Sequence, residues 1–192
     1  MKTKTFVTVL FVLVGAAQIA SSTYMLAKAW LSQVLIDQAW EKTKKDHQPH
    51  PPWSWADTYP MAILNFPRLQ KKTFVLAGSS ARNLAFSATH MRQSGLPGQE
   101  KSTLISGHND SHFSFLQSLI VGDQIIVELM DASHKYCINS IQIINSKKQQ
   151  LLIKNTDELI LSTCYPFNSL TTGGSLRYVV FASPACNTLN PV

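Results

Sequence analysis

The chain has 192 residues, of which 45% are hydrophobic, and it carries a formal net charge of +6. A chain of this length can form one domain with a hydrophobic core plus an additional segment. The basic residues are scattered apart from short pairs such as Lys71-Lys72 and Lys147-Lys148, and no basic stripe alternates with aromatic side chains. We therefore expect no nucleic-acid partner.

The N-terminal segment predicts a membrane span. Residues 5–27 contain no charged side chain, and as a helix they would be about 34 Å long, enough for a hydrocarbon core of roughly 30 Å. Lys2 and Lys4 precede the segment, and this charge favours a cytoplasmic N-terminus and an exported body. A cleaved signal peptide, with "FVTVLFVLV" as its apolar region, is the alternative. We assign residues 1–28 to a transmembrane signal-anchor.

A helical pattern continues beyond this segment. Leu26, Trp30 and Val34 recur every four residues. The stretch "DHQPHPPWSW" then breaks the helix with three prolines. We assign residues 29–56 to a juxtamembrane helix and linker, and residues 57–192 to the folded domain.

The folded domain is rich in short segments of β-branched and aromatic residues bounded by turn residues. The predicted strands are "MAILNF" (61–66), "KTFVLAG" (72–78), "STLISGH" (102–108), "DQIIVELMD" (123–131), "KYCINSIQII" (135–144), "ELILSTC" (158–164) and "LRYVVFA" (176–182). Short helices are expected near "FSATHM" and in "HFSFLQSL". Seven or eight short strands without alternating long helices predict a mainly β antiparallel barrel or sandwich.

Three residues that carry chemistry lie at or near strand ends. Cys164 ends a strand immediately before Tyr-Pro, where a substrate can reach a thiol. His108 ends another strand, and imidazole can take and return protons near neutral pH. Arg177 lies on the strand after Cys164 and offers a permanent cation suited to an oxyanion. Together they predict nucleophilic catalysis by a cysteine–histidine pair.

The residues alone leave two other interpretations open. His108, Asp110 and His112 with Cys164 could surround a zinc ion, although Gly-His-Asn-Asp-Ser is a poor helix for such a site. A membrane-anchored barrel that only binds a partner would not need Cys164 at all. Cys137 and Cys186 could form a disulfide or could be two small buried apolar side chains.

The segments "TLISGHNDSHFSFL", "LILSTCYPF" and "GGSLRYVVFA", in this order, resemble the three signature segments of the sortase family. With the entry "WSWADTYPMAIL", the resemblance runs from about Trp30 to Ala182 and is close to the sortases of Gram-negative proteobacteria. It implies a closed eight-stranded β-barrel. One position departs from the related Gram-negative members, which usually have arginine after the motif histidine, whereas this chain has Asn109.

The resemblance also implies a cysteine transpeptidase, with His108, Cys164 and Arg177 as its catalytic residues. We expect no cofactor and no metal site. Its substrate would be an exported protein with a C-terminal sorting signal, transferred through a thioester to an amine acceptor. A hydrolase that transfers the acyl group to water is the enzymatic alternative. We expect a single-pass protein of the inner (cytoplasmic) membrane, with a periplasmic catalytic domain. Further candidates for substrate contact are Asp110, His112, Thr163 and Tyr165.

For these candidates, structural roles compete with substrate contact. Asp110 could pair with Arg177 or cap the short helix near Phe113. His112 could line the groove or pack the loop. The Thr163 hydroxyl could orient the site, and Tyr165 could wall the groove or cap the core.

Overall fold

A computed structural model describes residues 2–169 and 173–184 of the chain. Its first element is one continuous helix, α1 (Lys2–Asp46), and eight strands and two 3-10 turns follow with one short helix. The strands are β1 (Pro60–Phe66), β2 (Lys71–Ala77), β3 (Ala88–His90), β4 (Thr103–Ser106), β5 (Gln124–Glu128), β6 (Ser133–Asn145), β7 (Leu159–Cys164) and β8 (Leu176–Ser183). The short helix α2 spans Ala81–Leu84, and the 3-10 turns span Pro67–Leu69 and Ser114–Ser118.

The eight strands form a closed barrel in the order β1-β2-β3-β4-β7-β8-β6-β5. The β2–β3 and β4–β7 pairs are parallel, and the other pairs are antiparallel. The closed β-barrel that the family resemblance implied is therefore confirmed. Closure leaves no exposed sheet edge among the eight described strands that could pair with another chain.

The barrel interior follows from the alternation of side chains along each strand. On β7 and β8, Leu159, Leu161, Val180 and Ala182 are fully buried in the main core. The intervening residues Ile160 and Val179 point to the outer side, where they join Leu104 in a second apolar cluster. The second cluster is covered by the segment between β6 and β7, so one outer face of the barrel is also apolar.

One short element differs from the sequence prediction. The short helix expected near "FSATHM" is α2, which ends two residues before Phe86, but the central residues of "FSATHM" form β3, a strand that was not predicted. Val75 of β2 pairs with Ala88, and Ile105 of β4 pairs with His90. Strand pairing on both sides of this tripeptide therefore overrides its weak local preference.

The C-terminal part of α1 packs on the barrel. Its buried residues are Ser32, Ile36, Ala39, Trp40 and Thr43. Their spacing of three and four residues places them on one face of the helix. The N-terminal part of α1 is exposed along its described length, and the helix is long and apolar enough to cross a membrane.

Candidate active site

Cys164 and Arg177 are directly opposite each other on neighbouring strands. They are register partners in the antiparallel β7–β8 pair. Because Leu161 and Val180 point into the core, the alternation places Cys164 and Arg177 on the outer face. The next pair is hydrogen-bonded, with Tyr165 N donating to Leu176 O at 3.1 Å. The Cys164–Arg177 pair is therefore of the non-hydrogen-bonded type, in which Cα atoms are only about 4.5 Å apart.

His108 lies at the same end of the barrel as Cys164. The parallel β4–β7 register pairs Ser106 with Ser162, and Gly107 N donates to Ser162 O at 3.2 Å. His108 and Cys164 each follow one member of this pair by two residues. Because parallel strands run in the same direction, His108 and Cys164 lie at the same end of the two strands. His108 is exposed, and Cys164 is half-buried.

The backbone that carries His108 is held from several sides. Thr163 Oγ1 donates to Gly107 O at 2.7 Å, and Phe113 N donates to His108 O at 2.9 Å. Asn109 Nδ2 donates to Pro166 O at 3.0 Å. We call these three hydrogen bonds the strand-end network. They join the segment after β4 to β7 and to the segment that follows Cys164.

Gly107 allows this network to form. A Cβ atom at this position would lie 2.8 Å from the ring of Phe113, closer than real Cβ contacts allow. Phe113 is itself fully buried in the main core. The absence of a side chain at Gly107 thus lets the loop after β4 fold tightly over an aromatic core residue.

The guanidinium of Arg177 is oriented by the segment before β8. Its Nη1 donates to Gly174 O at 2.6 Å and to Leu176 O at 2.9 Å. A guanidinium carries five N–H donors, so these bonds leave donors for a substrate oxygen. Asp110 is exposed and forms no ion pair with Arg177 among the described residues.

A groove extends from Arg177 across the outer face of β4, β7 and β8. It has a volume of about 390 Å³. Ser162, Arg177 and Val179 form its floor beside Leu104, and the β6–β7 segment supplies Leu151 and Ile153 as a wall. The groove is mainly apolar, and its polar lining consists of Arg177, two serines and two glutamines. Such a surface suits an extended peptide with apolar side chains.

The four further candidate residues have different surroundings. Thr163 is buried and holds Gly107, as described above. The Tyr165 ring is stacked on Tyr178 at 6.4 Å between centroids. Phe167 contacts both tyrosine rings edge-on, so the three aromatic residues close this end of the barrel.

His112 and Asp110 lie on the loop that follows His108. His112 is partly buried, and this burial lowers its pKa, opposed by the nearby Ala85 carbonyl. The 3-10 turn that begins at Ser114 has no side-chain cap at Phe113, so Asp110 does not cap it.

The described cysteines have different states. Cys164 is a free thiol, whereas Cys137 is disulfide-bonded. Cys186 lies outside the described residues, so a Cys137–Cys186 disulfide stays one of the alternatives named from the sequence. Within residues 2–169 and 173–184, no group of three histidine, cysteine or acidic side chains is arranged to hold a metal ion.

Comparison with known proteins agrees with this geometry. A model of the sortase domain matches residues 64–185. The chain belongs to the sortase family. Sortases are cysteine transpeptidases as a family. Sortase D of Bacillus subtilis (strain 168) is 28% identical over 121 residues, which cover 62% of this chain and 61% of that protein. The chain thus matches about three fifths of the length of this curated relative.

Solved sortase structures share the barrel. Sortase A from Corynebacterium diphtheriae superposes with a TM-score of 0.60 at 23% identity, covering 71% of this chain and 66% of that one. The Clostridium perfringens sortase D5 transpeptidase gives a TM-score of 0.62 at 21% identity, covering 80% and 97%. Sortase C1 from Streptococcus agalactiae gives 0.58 at 25% identity, covering 68% and 69%. At these identities the likeness establishes the fold.

Sequence reasoning did not find the groove wall or the bond from Asn109 to Pro166. Leu151 and Ile153 stand in a loop between two strands, and their alternate spacing was the only available signal. Asn109 departs from the family pattern, but no local feature of the sequence indicated that its side chain donates to Pro166 O.

Proposed function

We propose that the protein is a membrane-anchored cysteine transpeptidase that acts on a peptide segment of another exported protein. The observation that carries this proposal is the arrangement of Cys164 and Arg177 as register partners, with Gly107-His108 tied to the same end of β7. A thiol nucleophile, a proton carrier and an oxyanion-binding cation are the three groups that acyl transfer requires.

In the first half-reaction, the Cys164 thiolate attacks a backbone carbonyl carbon of the substrate. The carbonyl oxygen becomes an oxyanion, which Arg177 stabilises with its free guanidinium donors. The C–N bond then breaks, and the His108 imidazolium gives its proton to the leaving amine. The products are a thioester on Cys164, a neutral His108 and a released C-terminal peptide.

In the second half-reaction, an incoming amine attacks the thioester carbonyl and loses a proton to His108. The C–S bond breaks, and Cys164 leaves as a thiolate beside the newly charged imidazolium. A new amide bond forms, and the enzyme returns to its starting protonation state. Dividing amide exchange into two steps through a thioester lowers the barrier of each step.

The groove beside Arg177 is the proposed binding site for the residues before the cleaved bond. Its apolar wall of Leu151 and Ile153 would receive apolar side chains, and Ser162 on the floor would accept or donate one hydrogen bond. Thr163 and Asn109 would act as positioning residues through the strand-end network. Tyr165 is stacked on Tyr178, and its proposed role is mainly to close this end of the barrel.

The remaining assignments concern the cell envelope. The apolar helix, with Lys2 and Lys4 before it, supports a single-pass anchor with a cytoplasmic N-terminus and an exported barrel. The segments "PWSWAD" and "TCYPF" support a place among the sortases of Gram-negative proteobacteria, and hence a periplasmic barrel on the inner membrane. A shared membrane would raise the effective concentration of an anchored substrate.

The test is acyl transfer from a randomised peptide pool to hydroxylamine by the full-length chain in detergent micelles. Mass spectrometry of the pool identifies hydroxamates, which mark the cleaved bond whatever the recognised motif is. We expect hydroxamates that disappear in Cys164→Ala and His108→Ala, and that fall about 10²–10³-fold in Arg177→Ala. His50→Ala, a histidine change in the linker, serves as the matched control and keeps full activity.

Two outcomes would separate this proposal from its rivals. Carboxylate products at the same bond, with no hydroxamate at any hydroxylamine concentration, would indicate a hydrolase. Identical pools before and after incubation, for wild type and Cys164→Ala alike, would indicate a barrel that only binds a partner.

A further inference from the structure

The helix α1 continues from the apolar segment directly onto the barrel, without a flexible joint. Residues Ile36, Trp40 and Thr43 are buried against the barrel. Gln33 Nε2 donates to Phe86 O at 2.7 Å near the start of this contact. The packed helix therefore fixes the height and the orientation of the barrel relative to the helix axis.

The far end of the same contact is marked by His47. Its Nδ1 lies 3.0 Å from Asp131 Oδ1, in the turn between β5 and β6. This exposed pair adds little stability, but it shows which end of the barrel lies farther along the helix. Gln33 and His47 are 14 positions apart in the sequence, a distance of about 21 Å in a helix.

The near end of the barrel lies close to where the helix would leave a bilayer. The uncharged segment ends at Ala27, and Trp30 beyond it is 69% exposed. Gln33 follows Ala27 by six residues, or about 9 Å of helix. A headgroup layer is roughly 5–8 Å thick on each side of the hydrocarbon core. Gln33 and its partner Phe86 therefore stand at the outer boundary of the headgroups.

An exposed tryptophan lies at this height. The Trp53 ring packs edge-on against Phe86, with centroids 4.7 Å apart. Ala56 N donates to Trp53 O at 3.0 Å and closes a turn. This turn presents Trp55, whose side chain is 76% exposed. Arg82 of α2, four residues before Phe86, is also exposed.

We propose that the turn Trp53–Ala56 is a second membrane contact of the catalytic barrel, with Trp55 inserted among the lipid headgroups and Arg82 beside their phosphates. Indole side chains favour this region because their apolar ring and N–H donor match its mixed polarity. The inference rests on the proposed membrane anchoring, and it adds that the barrel lies on the bilayer surface.

This contact would also place the catalytic histidine near the membrane. His112 lies beside the carbonyl of Ala85, the residue next to Phe86, and burial together with the nearby His108 lowers the pKa of His112. The active-site loop is therefore on the membrane-facing end of the barrel. In a membrane-anchored substrate, a peptide bond a short distance from the bilayer would then reach Cys164 while the anchor of the substrate stays in the membrane.

Site-specific photocrosslinking of the full-length chain in nanodiscs of phosphatidylcholine and phosphatidylglycerol tests the proposal. Benzoylphenylalanine replaces one residue at a time at three positions. Trp55 tests the proposed contact, and Leu10 in the apolar helix tests the anchor itself. Ala132, in the turn beside Asp131, is the exposed control at the far end, about 30 Å of helix beyond Ala27.

We expect lipid adducts at positions 10 and 55, with a yield at position 55 several-fold above that at position 132. Adducts at position 10 with equal, low yields at 55 and 132 would overturn the second contact and leave the anchor intact. Protein–protein adducts at position 55 would overturn it in favour of contact between two copies. No lipid adduct at any position, including 10, would overturn the anchoring on which the inference rests.

Discussion

The catalytic end of the site and the groove beside it are held by different kinds of contact. At the catalytic end, directional hydrogen bonds from Thr163, Asn109 and Phe113 fix the backbone around His108. Along the groove, the segment 146–158, here called the groove loop, rests on the barrel through the apolar side chains of Leu151 and Ile153.

We infer that the hydrogen-bonded end determines the rate of the chemical steps and that the apolar groove determines substrate binding. Hydrogen bonds fix angles as well as distances, whereas apolar contact is non-directional. The groove loop is tied to the barrel near its end, where Ser102 and Lys154 exchange backbone and side-chain hydrogen bonds. We therefore expect changes in the strand-end network to act on turnover, and changes in the groove wall to act on substrate binding.

Thr163→Val should produce the largest effect that leaves the catalytic residues unchanged. The variant keeps the shape of the side chain but removes the donor to Gly107 O. A shift of the adjacent His108 by about 1 Å could lower kcat on the order of 10²-fold. The measurement is kcat for hydroxamate formation, with circular dichroism to confirm the fold.

Thr103→Val is the matched control for this change. Thr103 is also a buried barrel threonine, but its Oγ1 has no hydrogen-bond partner in the described part of the chain. Removing that hydroxyl should leave kcat unchanged and should not lower stability. An equal loss of kcat in both variants would show that the effect is a general response to valine in the core.

The double variant Leu151→Ala/Ile153→Ala should affect recognition. Both side chains form the groove wall, and their loss removes apolar contact with the substrate. We expect KM to rise about tenfold, equivalent to about 1.4 kcal/mol, with kcat unchanged. Steady-state kinetics with the cleaved peptide provides the measurement. A fall in kcat at constant KM would contradict the separation of the catalytic end from the groove.

Asn109→Ala should lower kcat more modestly. The bond to Pro166 O is at the exposed edge of the strand-end network, and such a bond contributes roughly 0.5–1.5 kcal/mol, or about 2–10-fold in rate. Asn109→Asp is the sharper variant, because it keeps the shape but cannot donate. Full activity in Asn109→Asp would refute a positioning role for the amide.

The smallest predicted effect concerns acid stability and involves His90. Burial lowers the pKa of His90 below its ordinary value of 6.5, opposed by the hydrogen bond of the ring to Gly95 O. Below pH 6.5, His90 therefore binds a proton more readily in the unfolded chain than in the folded chain. The free energy of unfolding falls as the pH decreases through this range, and above it His90 has no effect on stability.

The measurement is the thermal midpoint of the full-length chain in detergent at pH 7.5 and pH 5.5. We expect a decrease of a few degrees on acidification, since about 1 kcal/mol corresponds to roughly 2–4 °C in a chain of this size. His90→Gln should reduce this decrease, because glutamine can still donate to Gly95 O but does not titrate. A decrease of equal size in wild type and variant would assign the acid sensitivity to other groups, such as His112.

The sequence was informative wherever one periodicity dominated. Seven strands could be predicted from short β-branched segments, and Cys164, His108 and Arg177 stood out because each lies at or near a strand end. β3 was not predicted, because three residues carry too little pattern and their conformation is decided by pairing with β2 and β4.

Contacts between distant segments were beyond the reach of sequence reasoning. The groove wall depends on where the groove loop folds back over Ile160 and Val179. The packing of α1 uses a face centred on Ile36 and Trp40, whereas Trp30 is exposed, and the sequence did not distinguish the two tryptophans. Such contacts follow from the shape of the closed barrel, which no local pattern encodes.

The most direct test of the central claim is the intact mass of the full-length chain after brief incubation with the peptide pool and acid quenching. A thioester intermediate predicts an acyl adduct on Cys164 that disappears when an amine is added and never forms in Cys164→Ala. Substrate turnover without any adduct on Cys164, or an adduct that persists in Cys164→Ala, would contradict nucleophilic catalysis by this thiol.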